Sequence, residues 1–280
     1  MQWFRNRFIK FIKGFVKMDE NKRLIIVRFN QNVKGRIPDT TTNNQRHDGR
    51  EGHWLETQME ITHNANNEPD LLGYEMKNQT TSGKITFGDW SADEYIFLHG
   101  RGLDKTNSVN MQYQISKSDF FRIFGKPNPL KGNRLSWSGT PCPTYFGDTT
   151  TFGQHLTMDN DHNIIIIYSF SLDQRADKAN IVPQNMQIDN LIIARWKHQT
   201  LKTKLERKFN QSGWFTCTKN SNGEYEQISF GSPMNYESWI QLFRDRIVFF
   251  DSGMYDGNNR PYSQWRASTG FWHSLITDSY

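Results

Sequence analysis

The ten-residue segment EPDLLGYEMK holds three side chains whose types and spacing suit the hydrolysis of a phosphate ester: Asp70, Glu75 and Lys77. Glu75 and Lys77 are two residues apart, so in a strand both side chains point to the same face. Asp70 stands just before a Leu-Leu-Gly bend that can fold it back beside them. Two carboxylates and the carbonyl of Met76 can hold a hard cation, and an ammonium can fix a water and offset negative charge. A solvated charged turn is the alternative, and it is the more common origin of so short a motif.

The segments around this motif predict a mixture of helices and strands. EGHWLETQMEI has apolar residues at helical spacing, which places Glu56, a fourth candidate acid, on a short helix before the motif. GYEMKNQ and KITFGDW are predicted to be strands around a Thr-Thr-Ser-Gly turn, and SKSDFFRIFG a helix capped by Ser118 or Asp119. Strands are also predicted in NIIIIYSFSL, NLIIARW and RIVFFDSGM, helices in HQTLKTKLERKFN, NYESWIQLFRD and GFWHSLI, and a hairpin around NSNGE.

The N-terminal segment MQWFRNRFIKFIKGFVKM predicts a basic amphipathic helix. Phe4, Phe8, Ile12 and Phe15 recur at helical spacing between arginines and lysines. Charges interrupt every apolar run, so the segment is neither a secretory signal nor a bilayer span. A helix packed on the domain with a solvated basic face is the first interpretation and contact with a membrane surface the second. We expect no membrane partner.

Charge distribution favours a polyanionic partner. The formal net charge of +5 is a mild excess, but seven basic residues against the single acid Glu206 fall between Arg195 and Lys219. The part of this run from 195 to 208 suits phosphate contacts, with a solvated helix face as the alternative. Cys142 and Cys217 lack the spacing of a disulfide framework or a zinc site, so a reducing cytoplasm is the simplest compartment.

An extended stretch of the chain is similar to a known nuclease superfamily. GREGHWLETQMEITHNANNEPDLLGYEMKNQTTSGKITFGD resembles the catalytic core of the PD-(D/E)xK nucleases, in the branch of MutH and the MvaI/BcnI-like type II restriction endonucleases. The matching marks are a helix ending in Leu-Glu at Glu56, Pro-Asp at Asp70, and Glu75-x-Lys77. FGKPNPLKGNRLSWSG resembles a loop of the LlaMI-like endonucleases, and RIVFFDSGMYDGNNRPYSQWRAS resembles the family's C-terminal recognition segment. The loop HDGREG departs from the usual form, which leaves its role open.

The resemblance implies an α/β fold, with a mixed central sheet flanked by helices, and a Mg²⁺-dependent endonuclease. Asp70 and Glu75 would bind Mg²⁺ together with the carbonyl of Met76, Lys77 would position or activate water, and Glu56 would be a supporting acid. The implied substrate is double-stranded DNA, cut at a short GC-rich site such as CCNGG or CCWGG to leave 5′-phosphate and 3′-hydroxyl ends. A monomer and a cognate DNA methyltransferase in the same system are also implied.

The same resemblance divides the chain. Residues 1–20 are the basic helix, and residues 21–280 form a single domain, since neither a repeat nor a low-complexity linker interrupts them. Within this domain the catalytic core is expected at about 45–125 and the recognition elements at about 126–160 and 195–280.

Base recognition is expected from two polar loops, and phosphate contact from the basic helix. Arginine matches guanine, and asparagine or glutamine matches adenine, by hydrogen-bond geometry. For any one residue, a polar loop side chain without a DNA contact is an equal alternative. Asp251 either orients these loops or accepts from a cytosine amino group. The predicted DNA contacts are Arg134, Trp137, Lys202, Lys204, Asp251, Asn258, Asn259, Arg260, Gln264 and Arg266.

Two other functions remain open at this point. One is a MutH-like nicking or repair nuclease that depends on partner proteins. The other is a DNA-binding module without catalytic activity, in which Asp70 and Glu75 are structural.

Overall fold

A computed structural model of the protein describes residues 19–41, 50–62, 67–78, 80, 82–98, 109 and 111–280. The predicted basic helix of residues 1–20 falls almost wholly outside these residues, as does the first half of the loop HDGREG. None of the described helices is long and apolar enough to cross a membrane.

Helices and strands alternate irregularly along the described chain. The helices are α1 (Glu20–Asn32), α2 (Arg50–Gln58), α3 (Lys117–Phe124), α4 (Lys178–Ile181), α5 (His198–Phe209), α6 (Tyr236–Arg244) and α7 (Thr269–Ser274). The strands are β1 (Tyr74–Met76), β2 (Lys84–Asp89), β3 (Glu94–Tyr95), β4 (Lys126–Asn128), β5 (Arg134–Trp137), β6 (Phe152–Met158), β7 (Ile164–Asp173), β8 (Leu191–Trp196), β9 (Gly213–Lys219), β10 (Tyr225–Gly231), β11 (Phe249–Ser252), β12 (Met254–Tyr255), β13 (Ser263–Ser268) and β14 (Ile276–Ser279).

Most of the predicted elements are confirmed, including the helix before the motif and the NSNGE hairpin between β9 and β10. The predicted cap of α3 is wrong. Its N-cap is Ser116, whose hydroxyl accepts a hydrogen bond from the main-chain N–H of Asp119 at 3.0 Å. Because the helix already begins at Lys117, Ser118 and Asp119 lie inside its first turn and cannot precede it.

The described strands form four sheets, with the strand orders β1-β9-β10-β14, β11-β13-β2, β12-β5-β4 and β3-β8-β7-β6. Although only a turn sequence separates β1 from β2, β1 pairs in parallel with β9. β2 pairs instead with β13. The reason lies in what each strand buries: Tyr74 and Met76 of β1 enter one hydrophobic core, whereas Ile85 and Phe87 of β2 enter another.

These two hydrophobic cores meet at β1. The small core packs α1 and α2 against β1, β9 and β10, and it includes Tyr74 and Met76. The large core holds most of the tryptophans, with Phe209 from the end of α5 and Trp272 from α7 among them. Because side chains alternate along a strand, β1 gives its two apolar residues to the small core and turns Glu75 toward the large one. The motif therefore lies at the seam between the cores.

Candidate active site

A tight chain reversal brings Asp70 back toward β1. Leu71 and Tyr74 exchange two main-chain hydrogen bonds of 3.0 and 2.8 Å, and the two residues between them have positive φ, 50° at Leu72 and 84° at Gly73. Positive φ at both central residues is the pattern of a type I′ turn, which glycine adopts easily. The carboxylate of Asp70 then accepts the main-chain N–H of Met76 at 2.9 Å. The bend expected from the sequence is confirmed.

Glu75 and Lys77 lie on one face of β1, as their spacing predicts. The Lys77 ammonium donates to Glu75 Oε1 at 2.8 Å. Both residues are buried, with 2% and 5% of their surface exposed, so this is not the solvated turn that the short motif left open. Parallel pairing with β9 holds the strand, since Glu75 lies opposite Trp214 and the N–H of Lys77 donates to the carbonyl of Phe215 at 2.8 Å.

A fourth charged side chain, Lys208 of α5, reaches this site, and the sequence did not single it out. Its ammonium is 3.0 Å from the same oxygen, Glu75 Oε1. The next residue, Phe209, puts its ring 5.0 Å from the Lys77 ammonium. A signal was present in the helical period: Lys208 follows Leu205, a member of the buried stripe of α5, by three residues, which places it at the edge of that stripe. We call Asp70, Glu75, Lys77 and Lys208 the active-site cluster.

Burial shifts the proton affinities of the active-site cluster. Burial, followed by the negative charge of Glu75, raises the pKa of Asp70 to about 6. Burial also lowers the pKa of Lys77, against the opposing effect of Glu75. Both shifts favour the neutral forms. Perturbed carboxylates and amines grouped in this way are a frequent property of catalytic sites.

The donor set of the active-site cluster fits a divalent cation. Glu75 Oε2 is buried, and no group among the described residues makes a hydrogen bond to it. A carboxylate oxygen left in this state is costly to bury unless something positive binds it. The carboxylate of Asp70, five residues before Glu75, and the carbonyl of Met76, the next residue after it, are oxygen donors of the kind that hard cations prefer.

Glu56 is the fourth acid that the sequence predicts at this site. It lies on α2, with its carboxylate 3.7 Å from the imidazole of His53. Within the described ranges, no three side chains with carboxylate, imidazole or thiol groups form a set that could hold a metal ion. The cluster therefore supplies two carboxylates, and the supporting role of Glu56 stays a prediction.

The sheet β11-β13-β2 brings together three of the predicted DNA contacts. Asp251 and Gln264 lie opposite each other in the β11–β13 ladder, and Arg266 of β13 is 3.2 Å from the Asp251 carboxylate and donates to Gln264 Oε1. Lys84 of β2 adds a looser contact of 3.8 Å to Asp251. We call Lys84, Asp251, Gln264 and Arg266 the sheet cluster.

The loop after β12 forms a shallow cavity of about 360 Å³, lined by Tyr255, Gly257, Asn258, Asn259, Arg260 and Tyr262. Two of its predicted DNA contacts already have partners within the protein. Arg260 pairs with Asp89 at 2.8 Å, and Asn258 is buried, with its amide oxygen accepting the N–H of Tyr255 at 2.6 Å. Asn258 thus shapes the loop, whereas Arg260 is exposed enough to exchange partners.

The loop at the β4–β5 hairpin yields one correction. Arg134 is half-buried and stacks on Tyr255, with its guanidinium carbon 3.3 Å from the ring centroid. The prediction that Trp137 contacts DNA is wrong. Its side chain is fully buried in the large core, and its indole N–H donates to Gln154 Oε1 at 2.6 Å. Alternation along β5 turns this position inward.

The two predicted phosphate contacts on α5 differ in surroundings. Lys202 is paired with Glu237 at 2.9 Å. Lys204 is more enclosed, and burial lowers the pKa of its ammonium. The ion pair of Lys202 does not prevent contact with DNA, because a phosphate can replace a carboxylate at a surface ammonium.

Known proteins resemble this chain along nearly its whole length. The family model of the LlaMI restriction endonuclease matches residues 33–280. The chain belongs to the LlaMI restriction endonuclease family. It is 50% identical over 278 residues to the type II restriction enzyme ScrFI of Lactococcus lactis subsp. cremoris, in a match covering 94% of this chain and 100% of that enzyme.

A solved structure has the same fold as this LlaMI family member. The restriction endonuclease MvaI, solved as a complex with its cognate DNA substrate, matches 94% of this chain and 99% of its own, with a TM-score of 0.57 and 14% sequence identity. At that identity the match shows the fold alone, which is of the PD-(D/E)xK type. The expected fold class and family are thereby confirmed.

Membership of the LlaMI family settles the general activity. The protein is a type II restriction enzyme, a site-specific deoxyribonuclease, and it binds double-stranded DNA. The open alternative of a DNA-binding module without catalytic activity is therefore excluded. Type II restriction enzymes of this kind generally use a divalent metal ion, which agrees with the donor set of the active-site cluster.

Proposed function

We propose that this restriction enzyme cleaves DNA with Mg²⁺ bound at Asp70 and Glu75 and with Lys77 as the residue that positions and activates water. The observation that carries this proposal is the buried Glu75 Oε2, to which no described group makes a hydrogen bond. Asp70 is folded back to β1, and two ammonium groups lie on the other oxygen of the Glu75 carboxylate. The proposed metal ligands are Asp70, Glu75 and the carbonyl of Met76.

Each group has a distinct part in the proposed reaction. Mg²⁺, when bound, stabilises negative charge on the phosphate and makes water more acidic. Lys77, whose pKa is lowered by burial, can hold the attacking water and take up its proton. Asp70 must lose the proton that its raised pKa favours before it can serve as a ligand.

The expected bond changes follow from in-line displacement at phosphorus. The water oxygen forms a bond to phosphorus as the bond to the 3′ oxygen breaks, and a proton passes to that leaving oxygen. The products are a 5′-phosphate and a 3′-hydroxyl. Glu56 is proposed as a supporting acid at this site.

The DNA is proposed to be read by the sheet cluster and by the loop after β12. Asp251, Gln264 and Arg266 are held together on one sheet face, which suits aimed contacts with base edges. Arg134, Asn259 and Arg260 extend this surface, and Lys202 and Lys204 would contact phosphates. Asn258 would act by shaping the loop. The resemblance to MvaI/BcnI-like enzymes supports a GC-rich site such as CCNGG or CCWGG.

The cellular setting follows from the same resemblance. We propose a cytoplasmic enzyme that acts as a monomer, with residues 21–280 as a single domain, and with a DNA methyltransferase that protects the host's copies of the site. We also propose a catalytic core at about 45–125 and recognition elements at about 126–160 and 195–280. In addition, α5 and β9, which lie outside that core, help to hold the active-site cluster.

Cleavage of a plasmid of known sequence tests the proposed site. The parent enzyme should linearise or fragment the plasmid with Mg²⁺ but not with Ca²⁺, whereas Asp70→Asn, Glu75→Gln and Lys77→Met should leave it supercoiled. Glu20→Gln, which removes an exposed acid paired with Arg23 on α1, is the matched control and should cut normally. If the three site variants cut as the parent does, the assignment is wrong.

The same digest reports the finer proposals. Sequencing the fragment ends gives the recognition sequence, the cut position and the end chemistry. Fragments without CCNGG or CCWGG at their ends would overturn the proposed site. Accumulation of nicked circles alone would favour the MutH-like alternative over a double-strand cutter.

A further inference from the structure

Two ammonium groups share a single carboxylate oxygen in the active-site cluster. Lys77 and Lys208 approach Glu75 Oε1 at 2.8 and 3.0 Å, while no described group makes a hydrogen bond to Glu75 Oε2. Lys77 alone would suffice to pair this buried carboxylate. A second cation on the same oxygen therefore needs an explanation of its own.

The exposed ion pairs among the described residues differ from this one in burial. Lys219, for example, pairs with Glu51 at 2.7 Å, where the glutamate side chain is 55% exposed. Such exposed pairs contribute little to stability. The Glu75 side chain is only 3% exposed, so the charges around it interact far more strongly.

The two lysines also differ in their freedom to move. Lys77 is on β1 itself, its side chain is 5% exposed, and its ammonium lies over the rings of Phe209 and Trp272. The Lys208 side chain is 19% exposed and extends from the last turn of α5, a helix that also carries Lys202, Arg207 and other basic residues. Lys208 can therefore exchange partners without disturbing β1, whereas Lys77 cannot.

Like charges make this exchange necessary when a metal ion binds. A divalent cation held by Glu75 would stand close to both ammonium groups, and Coulomb repulsion at short range in a buried site is large. A DNA phosphate delivered to the site carries the negative charge that an ammonium prefers.

We propose that Lys208 couples DNA binding to metal binding. In the DNA-free protein its ammonium holds Glu75 Oε1 and weakens the affinity of the site for a divalent cation. In the DNA complex the ammonium moves to a phosphate oxygen beside the cleaved bond and leaves Glu75 to the cation. The enzyme thus loads its metal ion mainly on DNA. This inference rests on the proposed metal site at Asp70 and Glu75.

Mn²⁺ binding, followed by the electron paramagnetic resonance of the free ion, measures this coupling without any cleavage. It is measured on the full chain alone and with a short duplex carrying the mapped site, with a phosphorothioate at the cleaved position. The parent should bind Mn²⁺ weakly alone and about tenfold more tightly with the duplex, a usual size for coupled sites. Lys208→Met should bind Mn²⁺ about tenfold more tightly than the parent without DNA, and the duplex should add little.

Two further variants make the result specific. Lys219→Met is the matched control, because it removes an ion-paired lysine outside the active-site cluster, and it should behave as the parent does. Lys208→Arg keeps the charge and should keep the weak binding without DNA. If Lys208→Met does not fold, Lys208→Gln, which also removes the charge, carries the test and should bind Mn²⁺ more tightly than the parent without DNA.

The outcomes separate the coupling from the metal site. If Lys208→Met binds Mn²⁺ as the parent does, with and without the duplex, the coupling is wrong. If Asp70→Asn and Glu75→Gln also bind Mn²⁺ as the parent does, the proposed metal site is wrong as well. Loss of binding in those two variants, together with parent-like binding by Lys208→Met, overturns the coupling alone.

Discussion

The active-site cluster and the sheet cluster each gather four polar side chains with charges of both signs, but they hold them in opposite ways. Around Glu75 the charges are buried, the two ammonium contacts are 2.8 and 3.0 Å long, and burial moves the pKa values of Asp70 and Lys77. Around Asp251 the contacts are looser, and the carboxylate is about one-third exposed. Buried charges are fixed in place and ready for chemistry, whereas half-exposed ion pairs can open and be replaced by DNA groups. This difference supports the proposed division into a region for reaction and a region for recognition.

The largest expected effect separates catalysis from binding. Lys77→Met should lower the cleavage rate by about 10²- to 10⁴-fold, the usual contribution of a positioned acid or base. DNA affinity should stay close to that of the parent, because Lys77 is buried at the seam of the two cores. Single-turnover cleavage and equilibrium binding in Ca²⁺ measure the two quantities. An equal loss of cleavage rate and of DNA affinity would place Lys77 in the recognition surface and contradict the difference between the two clusters.

Trp137 tests the inner boundary of the recognition region. Trp137→Ala should lower the free energy of unfolding by about 3–5 kcal/mol, as expected for a large buried aromatic side chain. Trp137→Phe keeps an aromatic ring but loses the hydrogen bond to Gln154. Its free energy of unfolding should fall by less than that of Trp137→Ala. Urea denaturation measures both variants. If Trp137→Phe keeps the stability of the parent but loses DNA affinity, Trp137 belongs to the DNA surface after all.

Asp70 should make the metal-free protein less stable near neutral pH than a neutral residue would. Its pKa is raised from 3.8 to about 6 by burial and by Glu75, so the folded state binds the proton more tightly than the unfolded state does. The stability due to this proton is fully present below pH 3.8, falls as the pH rises, and is gone above about pH 6.

Asp70→Asn should therefore be more stable than the parent at pH 7 by about 2–3 kcal/mol, and this advantage should vanish toward pH 4. Thermal unfolding with a chelator present measures the difference at each pH. An advantage that is the same at both pH values would contradict the shifted pKa.

The smallest expected effect concerns base reading. Arg266→Gln should weaken binding to the cognate duplex by about 1–3 kcal/mol, the usual discrimination of one good base contact. Binding to unrelated DNA should change little. Arg246→Gln, which breaks an ion pair with Asp148 outside the sheet cluster, is the control. Equal weakening on both kinds of DNA would make Arg266 a phosphate contact.

The same contrast explains how much of the site the sequence could predict. Asp70, Glu75 and Lys77 were found because a strand places alternate residues on one face and because the Leu-Leu-Gly bend folds the chain locally. Lys208 was missed because its contact with Glu75 joins residues far apart in the chain, and only the parallel pairing of β1 with β9 and the position of α5 bring them together. Local spacing carries no information on such a contact.

Strand partners and burial in the fold depend on tertiary contacts in the same way. β1 and β2 were predicted as strands around one turn, but the turn does not determine their partners, because their apolar residues belong to different hydrophobic cores. Trp137 was predicted to contact DNA because it belongs to a polar loop. Its position in β5 depends on a tertiary partner, Gln154, that lies in another sheet.

The parallel pairing of β1 with β9 also sets the moment at which the enzyme can first act. Glu75 lies opposite Trp214, and a ribosome that adds about 5–20 residues per second needs on the order of ten seconds to pass from one to the other. During most of that interval the growing chain has the proposed metal ligands Asp70 and Glu75 but neither β9 nor Lys208. The proposed site can thus assemble only after α5 and β9 have been translated. A ribosome that stops before Lys208 releases a fragment without the complete active-site cluster.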